Sequence, residues 1–257
     1  MIDTHAHVHD KQFDADRAEV FARARAGGIE HIINVGCDVA DSERALRVAR
    51  EFDTSASVGI HPHESIDAPP DIAAAFAPLL GDARVVAIGE TGLDYFYDHS
   101  PRETQRNVLR AQLRLACATA MPVIFHHRDA YDDFVAILRE EFAPEMRGVI
   151  HCFTGDEAQA RTYVDEFGLL LGIGGVVTFK SAESVRAAVR AVGVDSLVLE
   201  TDCPYLAPTP HRGKRNEPSY VSLTAAKVAE LLGLSRDEVE RVTDRNARAL
   251  FNLGEAP

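Results

Sequence analysis

Short apolar runs alternate with amphipathic stretches along nearly the whole 257-residue chain. Runs of four to eight residues bounded by turn residues predict buried strands, and the longer stretches of helical period predict helices. Eight strands are expected: Ile2–His7, His31–Val35, Ser55–Ile60, Arg84–Gly89, Pro122–His126, Gly148–Cys152, Leu169–Ile173 and Ser196–Glu200. Helices are expected at about 13–27, 40–52, 70–81, 101–120, 129–142, 156–167 and 181–192, with two more at 218–232 and 235–251. Local chemistry supports these ends. Gly27-Gly28 suits a helix terminus, Ser235-Arg236-Asp237-Glu238 has capping-box spacing, and Ser100-Pro101 predicts a Ser100 cap before a first-turn proline.

Repeated strand–helix units require a parallel sheet with right-handed crossovers. Eight of them predict an α/β fold of the TIM type, a (β/α)8 barrel, in one domain over residues 1–257. An open doubly wound sheet is the competing topology, but no G-x-G-x-x-G follows the first strand. Gly172-Ile173-Gly174-Gly175 reads as turn geometry at a strand end, not as a phosphate loop.

Composition narrows the class. With 46% hydrophobic and 26% charged residues the chain reads as globular, and it has no apolar run long enough to cross a bilayer. Met1-Ile2-Asp3-Thr4-His5 lacks the features of a signal peptide, and Cys37, Cys117, Cys152 and Cys203 are scattered. Reduced thiols in a cytoplasmic protein are therefore expected, with no membrane partner. A net charge of −13 disfavours a protein that coats nucleic acid but allows a local cationic site for one or two phosphates. Oligomeric state is open, with a monomer expected.

The chemistry gathers at strand ends. His5 and His7 share one side of the first strand, because side chains alternate. The fourth strand leads into Glu90, the fifth into His126, the sixth into His151 and the eighth into Glu200-Thr201-Asp202. Barrel enzymes draw their catalytic groups from the C-terminal ends of several strands. Nitrogen and carboxylate donors without cysteine suit Zn²⁺ or Mn²⁺, and Mg²⁺ less well. Six candidate ligands (His5, His7, Glu90, His126, His151 and Asp202) exceed one tetrahedral ion and fit two, with Glu90 as the expected bridge. Asp202 is expected also to take a proton from water.

Around these lie further candidates. His61 is read as a phosphate ligand or proton donor, with His63 beside it across Pro62. Arg128 could hold a phosphate or pair with Glu200 or Asp129. Arg212, Lys214 and Arg215 form a compact basic loop suited to steering substrate. Tyr95, Phe96 and Tyr97 could stack bases or pack against their own barrel. Cys152 and Cys203 are read as small buried residues.

Taken together, Asp3-Thr4-His5-Ala6-His7, Gly59-Ile60-His61-Pro62-His63, Ile88-Gly89-Glu90-Thr91-Gly92-Leu93-Asp94-Tyr95, Pro122–Ala130, His151–Gly155, Glu200–Leu206 and Pro210–Pro218 resemble the TatD-like family of metal-dependent deoxyribonucleases, within the amidohydrolase superfamily. The resemblance runs nearly end to end. It implies a TIM barrel and a two-metal site in which His5, His7 and Asp202 hold one ion, His126 and His151 the other, and Glu90 bridges. It also implies hydrolysis of DNA phosphodiesters by metal-activated hydroxide, usually 3′→5′ from single-stranded ends. His127 departs from the family pattern, where a smaller polar residue is commoner, and alternation assigns the ligand role to His126. The absence of a lysine at the fourth strand end separates the chain from relatives that use a carboxylated lysine. A small-molecule amidohydrolase acting on a cyclic amide, lactone or ester, or an aminoacyl-tRNA deacylase, would use the same centre without needing the basic loop. A non-catalytic binding protein would not need Glu90 and Asp202.

Overall fold

The computed structural model describes residues 1–254. Its strands are β1 (Ile2–Ala6), β2 (His31–Val35), β3 (Ser55–Val58), β4 (Val85–Asp94), β5 (Val123–Arg128), β6 (Gly148–Ile150), β7 (Leu170–Ile173) and β8 (Leu197–Leu199). Between and after them lie α1 (Arg17–Ala26), α2 (Val39–Phe52), α3 (Ile72–Leu80), α4 (Arg102–Thr119), α5 (Tyr131–Glu141), α6 (Glu157–Arg161), α7 (Glu183–Val192), α8 (Val221–Leu232) and α9 (Arg236–Phe251). A π-helical turn, Thr162–Glu166, continues α6 where a single helix to 167 is expected.

The chain divides into two compact units, one comprising Met1–Asn34 and the segment from Cys152 onward, the other Val35–His151. In the first, β1 pairs with β2 and β7 with β8, all parallel. The segment after β8 then runs beside β1, through a parallel bridge between Ala6 and Cys203. In the second, β3, β4, β5 and β6 pair in that order, again parallel. Strand order in the sheet follows chain order. With β8 returning to β1, this is the (β/α)8 barrel topology and not an open sheet, whose first and last strands would be edges.

Strands covered on both faces lose the in–out alternation of a one-sided sheet. All five residues of β1 are buried, including Asp3, Thr4 and His5. Burying such groups requires partners. Thr4 Oγ1 donates to Leu199 O at 3.1 Å, and Asp3 accepts from Thr201 N at 2.9 Å and Thr201 Oγ1 at 2.6 Å. These bonds tie the end of β8 to β1. Burial pushes the Asp3 carboxyl up to about 8, against the Thr201 bonds.

Two boundaries depart from the sequence reading in ways that matter for the site. β4 continues to Asp94, so Glu90 lies inside a strand, and β5 runs to Arg128, which places His126 inside as well. The continuous apolar run ends at Gly89, but pairing of Thr91–Asp94 with Phe125–Arg128 carries the ladder to Asp94, five residues further. Gly92 permits this approach: at φ +154° it lies against His126, where an added Cβ would sit 1.8 Å from the His126 carbonyl oxygen. Ser235 caps α9 as expected, accepting from Glu238 N at 3.2 Å. Ser100 does not cap α4, whose cap position is Pro101. Its hydroxyl donates instead to His63 O at 2.7 Å and accepts from Ile66 N at 3.0 Å.

Candidate metal centre

In the first unit, the closure of β8 onto β1 assembles a donor group. Asp202 N donates to His5 O at 2.9 Å, and His7 N donates to Cys203 O at 2.7 Å. Asp202 is thereby fixed next to His5 in β1 and to His7, which follows it. The Nε2 atoms of His5 and His7 lie 3.2 Å apart, and Asp202 Oδ1 is 3.7 Å from the first and 3.5 Å from the second. Two ring nitrogens and a carboxylate oxygen thus converge on one point. Neighbouring Cys203 is fully buried, and burial pushes its thiol well above the ordinary value. It is a packing residue, as is expected of a small buried cysteine. Cys152 donates its backbone N–H to Glu200 Oε1 at 2.6 Å.

The second unit holds the other donors. Glu90 Oε1 is met by His126 Nδ1 at 2.9 Å, His151 Nε2 at 2.9 Å and His61 Nε2 at 3.5 Å. His61, Glu90 and His126 each offer a ligand atom within 4.8 Å of the others. His61 follows β3, while Glu90 and His126 lie inside β4 and β5, and backbone bonds hold Glu90, His61 and the neighbouring His151. His151 N donates to Phe125 O at 2.9 Å, Glu90 N to Gly36 O at 3.0 Å, and His61 N to Cys37 O at 2.8 Å.

His61 has a defined tautomer. Its Nδ1 accepts from His63 N at 3.1 Å, capping the turn Pro62–Asp67, so a neutral ring carries its proton on Nε2. Burial holds this imidazole well below its ordinary pKa, outweighing Glu90, which pulls the other way. Adjacent His126 and His127 diverge. His126 faces Glu90 and Asp94, while His127 packs on Phe134 with ring centroids 5.1 Å apart, and burial lowers it to about 4.

Asp94 belongs to the same cluster, although the sequence reading does not single it out. It is fully buried, and its Oδ2 meets His126 Nε2 at 2.9 Å and His63 Nε2 at 3.0 Å. Its Oδ1 accepts from Phe96 N and Tyr97 N, both at 3.0 Å. Burial would raise this carboxyl, but the two imidazoles and the loop amides outweigh it and hold Asp94 far below the ordinary carboxylate range. Burial likewise opposes the charge on His126, yet its bonds to Asp94 and Glu90 raise its pKa. No apolar run marks the continuation of β4 beyond Glu90 that places Asp94 four residues along the same ladder.

The outlying cations are placed differently. Arg128 lies with its guanidinium 3.9 Å from the Phe96 ring centroid and 4.8 Å from that of Tyr97. Arg215 is committed to Asp16 at 2.6 and 2.8 Å and to Gln12 O at 2.6 Å, so it braces the loop to the start of α1. Arg212 lies over Phe179 at 3.6 Å, and Lys214 is exposed. Of the three aromatic residues after β4, Tyr95 is packed against its own helices. Its hydroxyl donates to Asp133 at 2.7 Å, and Arg102 covers its ring at 4.3 Å.

Convergent imidazole and carboxylate donors, with no thiolate among them, fit divalent ions of borderline to hard character. A barrel with such groups at its strand ends has the form of a metal-dependent hydrolase. Comparison with known proteins agrees. The family described as TatD related DNase matches residues 2–252. A Bacillus subtilis protein described as the uncharacterized metal-dependent hydrolase YabD is 43% identical, covering 98% of this chain and 99% of its own. The 3′-5′ ssDNA/RNA exonuclease TatD of Cronobacter sakazakii is 38% identical over the full length of both. The crystal structure of the TatD homologue YjjV from Escherichia coli superposes with a TM-score of 0.92 at 31% identity, covering 99% of this chain and 98% of that one. The chain belongs to the TatD family of metal-dependent hydrolases. No helix among the described residues is long and apolar enough to cross a membrane.

Proposed function

We propose that this protein is a deoxyribonuclease that removes nucleotides 3′→5′ from single-stranded ends, working as one domain with two divalent ions. His5, His7 and Asp202 would hold one ion, His126 and His151 the other, and Glu90 would be shared. The observation that carries the reading is the meeting of three imidazoles, from His61, His126 and His151, on a single oxygen of Glu90. A buried carboxylate so surrounded is a ready ligand for a cation. That the two donor groups act on one phosphodiester, and that the substrate is nucleic acid, rests on family membership and on relatives named as exonucleases.

When bound, such ions neutralise phosphate charge and lower the pKa of water. The chain's own residues supply the rest. Asp202 is positioned to accept a proton beside His5 and His7. His61, which accepts at Nδ1 from His63 N and is held by burial below its ordinary pKa, would present an Nε2–H to a phosphate oxygen. Arg212 and Lys214 remain the steering cations of the basic loop, since Arg215 serves Asp16.

The test is digestion of 5′-labelled single-stranded DNA and RNA with Mg²⁺, Mn²⁺ or Zn²⁺, beside EDTA and Glu90→Gln controls. A ladder shortening from the 3′ end, absent in both controls, is the expected result. Metal-loaded protein that leaves every oligonucleotide intact would overturn the nuclease and redirect work to amides, lactones and aminoacyl esters.

A further inference from the structure

The loop that follows β4 exposes two large aromatic rings. Phe96 is 55% exposed and Tyr97 50%, whereas Tyr95, one residue earlier, is tied to Asp133 and covered by Arg102. The loop that carries these two rings is anchored. Their backbone amides both donate to Asp94 Oδ1, the carboxylate whose other oxygen holds His63 and His126. The Tyr97 ring lies 5.4 Å from that of His63 and is stacked with His99 at 5.5 Å and 4°. The two rings meet edge to face at 4.8 Å, and the Arg128 guanidinium lies over one face of each, 3.9 Å from the Phe96 centroid and 4.8 Å from that of Tyr97. A solvent-facing aromatic pair, with a guanidinium over one face of each ring, is thereby linked through one side chain to His63 and His126.

We propose that Phe96 and Tyr97, flanked by Arg128, form a stacking platform for a nucleobase of a single-stranded substrate, with Arg128 placed to meet an adjoining phosphate. The proposal rests on the nuclease reading given above. Every base has a π face, so stacking holds a strand without reading its sequence, and a cation beside the ring adds to the attraction. In a chain of net charge −13, a cation at this position is also a local exception to the repulsion a phosphate would meet. Pinning the loop to Asp94 keeps the platform in a fixed register with His126 and lowers the entropy lost on binding.

The experiment compares kcat/KM for single-stranded DNAs that carry one abasic residue at each of the last three 3′ positions, in the metal that supports cleavage. Wild-type protein is expected to lose activity on the order of 10-fold when the base at one particular position is missing. The double variant Phe96→Ala/Tyr97→Ala should act more slowly on intact DNA and show no further loss with the abasic strand. Tyr97→Trp, which keeps a π face, should retain the base dependence, and thermal melting establishes that each variant is folded. If wild type cleaves but ignores the missing base, or if folded variants respond to it as wild type does, the platform is overturned while the nuclease stands. If wild type cleaves no oligonucleotide, both readings fall together.

Discussion

Asp94 Oδ2 stands 2.9 Å from His126 Nε2, while the other nitrogen of the same ring stands 2.9 Å from Glu90 Oε1. One imidazole is thus held between two buried carboxylates. With a cation bound on the Glu90 side, the Asp94 side would fix the ring's tautomer and orientation, as partners of metal-ligating histidines generally do. Asp94→Ala is therefore expected to weaken divalent-ion affinity about 10–100-fold. Asp94→Asn, which can still accept from the ring, should weaken it less. Competition with a chromophoric chelator reads this directly, and unchanged affinity in folded Asp94→Ala would show that Asp94 does not position His126.

The approach of β4 to β5 at Gly92 leaves no room for a side chain, because an added Cβ would lie 1.8 Å from the His126 carbonyl oxygen. Gly92→Ala should destabilise the fold by more than about 3 kcal/mol. At Gly168, which has φ +65° and nothing within 4 Å of its Cβ position, alanine should cost only about 1 kcal/mol. Urea denaturation of the two variants separates steric clash from backbone strain.

Gln105 of α4 is buried and accounts for three backbone groups, accepting from Asp94 N at 2.8 Å and donating to Asp94 O at 3.1 Å and Ser100 O at 2.8 Å. Gln105→Leu keeps the volume but orphans these groups, at a cost of about 2–4 kcal/mol. Gln105→Glu should be worse, since it sets a carboxylate oxygen against two carbonyls. The order wild type, leucine, glutamate in denaturation midpoint at pH 7 checks the assignment.

Stability on the acid side should depend on Glu217. Burial would raise its carboxyl, but Arg23, at 2.7–3.1 Å, and the Ser219 hydroxyl outweigh burial and hold it below the ordinary glutamate value. A lowered folded-state pKa means the contribution is complete above the unfolded value and is lost as pH falls through the folded one. Glu217→Gln should cost about 1 kcal/mol at pH 7 and flatten the acid limb of a melting-temperature profile. Parallel profiles for the two proteins would refute the assignment.

The eight strand–helix units, the barrel class and the family are legible in the residue order alone, because strand and helix periods are local and every motif residue is visible in the chain. The residue order also separated His126 from His127, since alternation along a strand needs no tertiary information. Tertiary structure decided what those residues touch. Asp94 joined the site only because β4 pairs with β5 beyond the apolar run, a long-range ladder with no hydrophobic signature of its own. Arg215 is bound by Asp16, 199 positions away, a partner the basic loop itself does not reveal. Ser100 stopped being a cap because His63 and Ile66 offer it a carbonyl and an amide. In each case the deciding partner is distant in sequence, and hydrogen bonding to a distant partner leaves no trace in the local pattern.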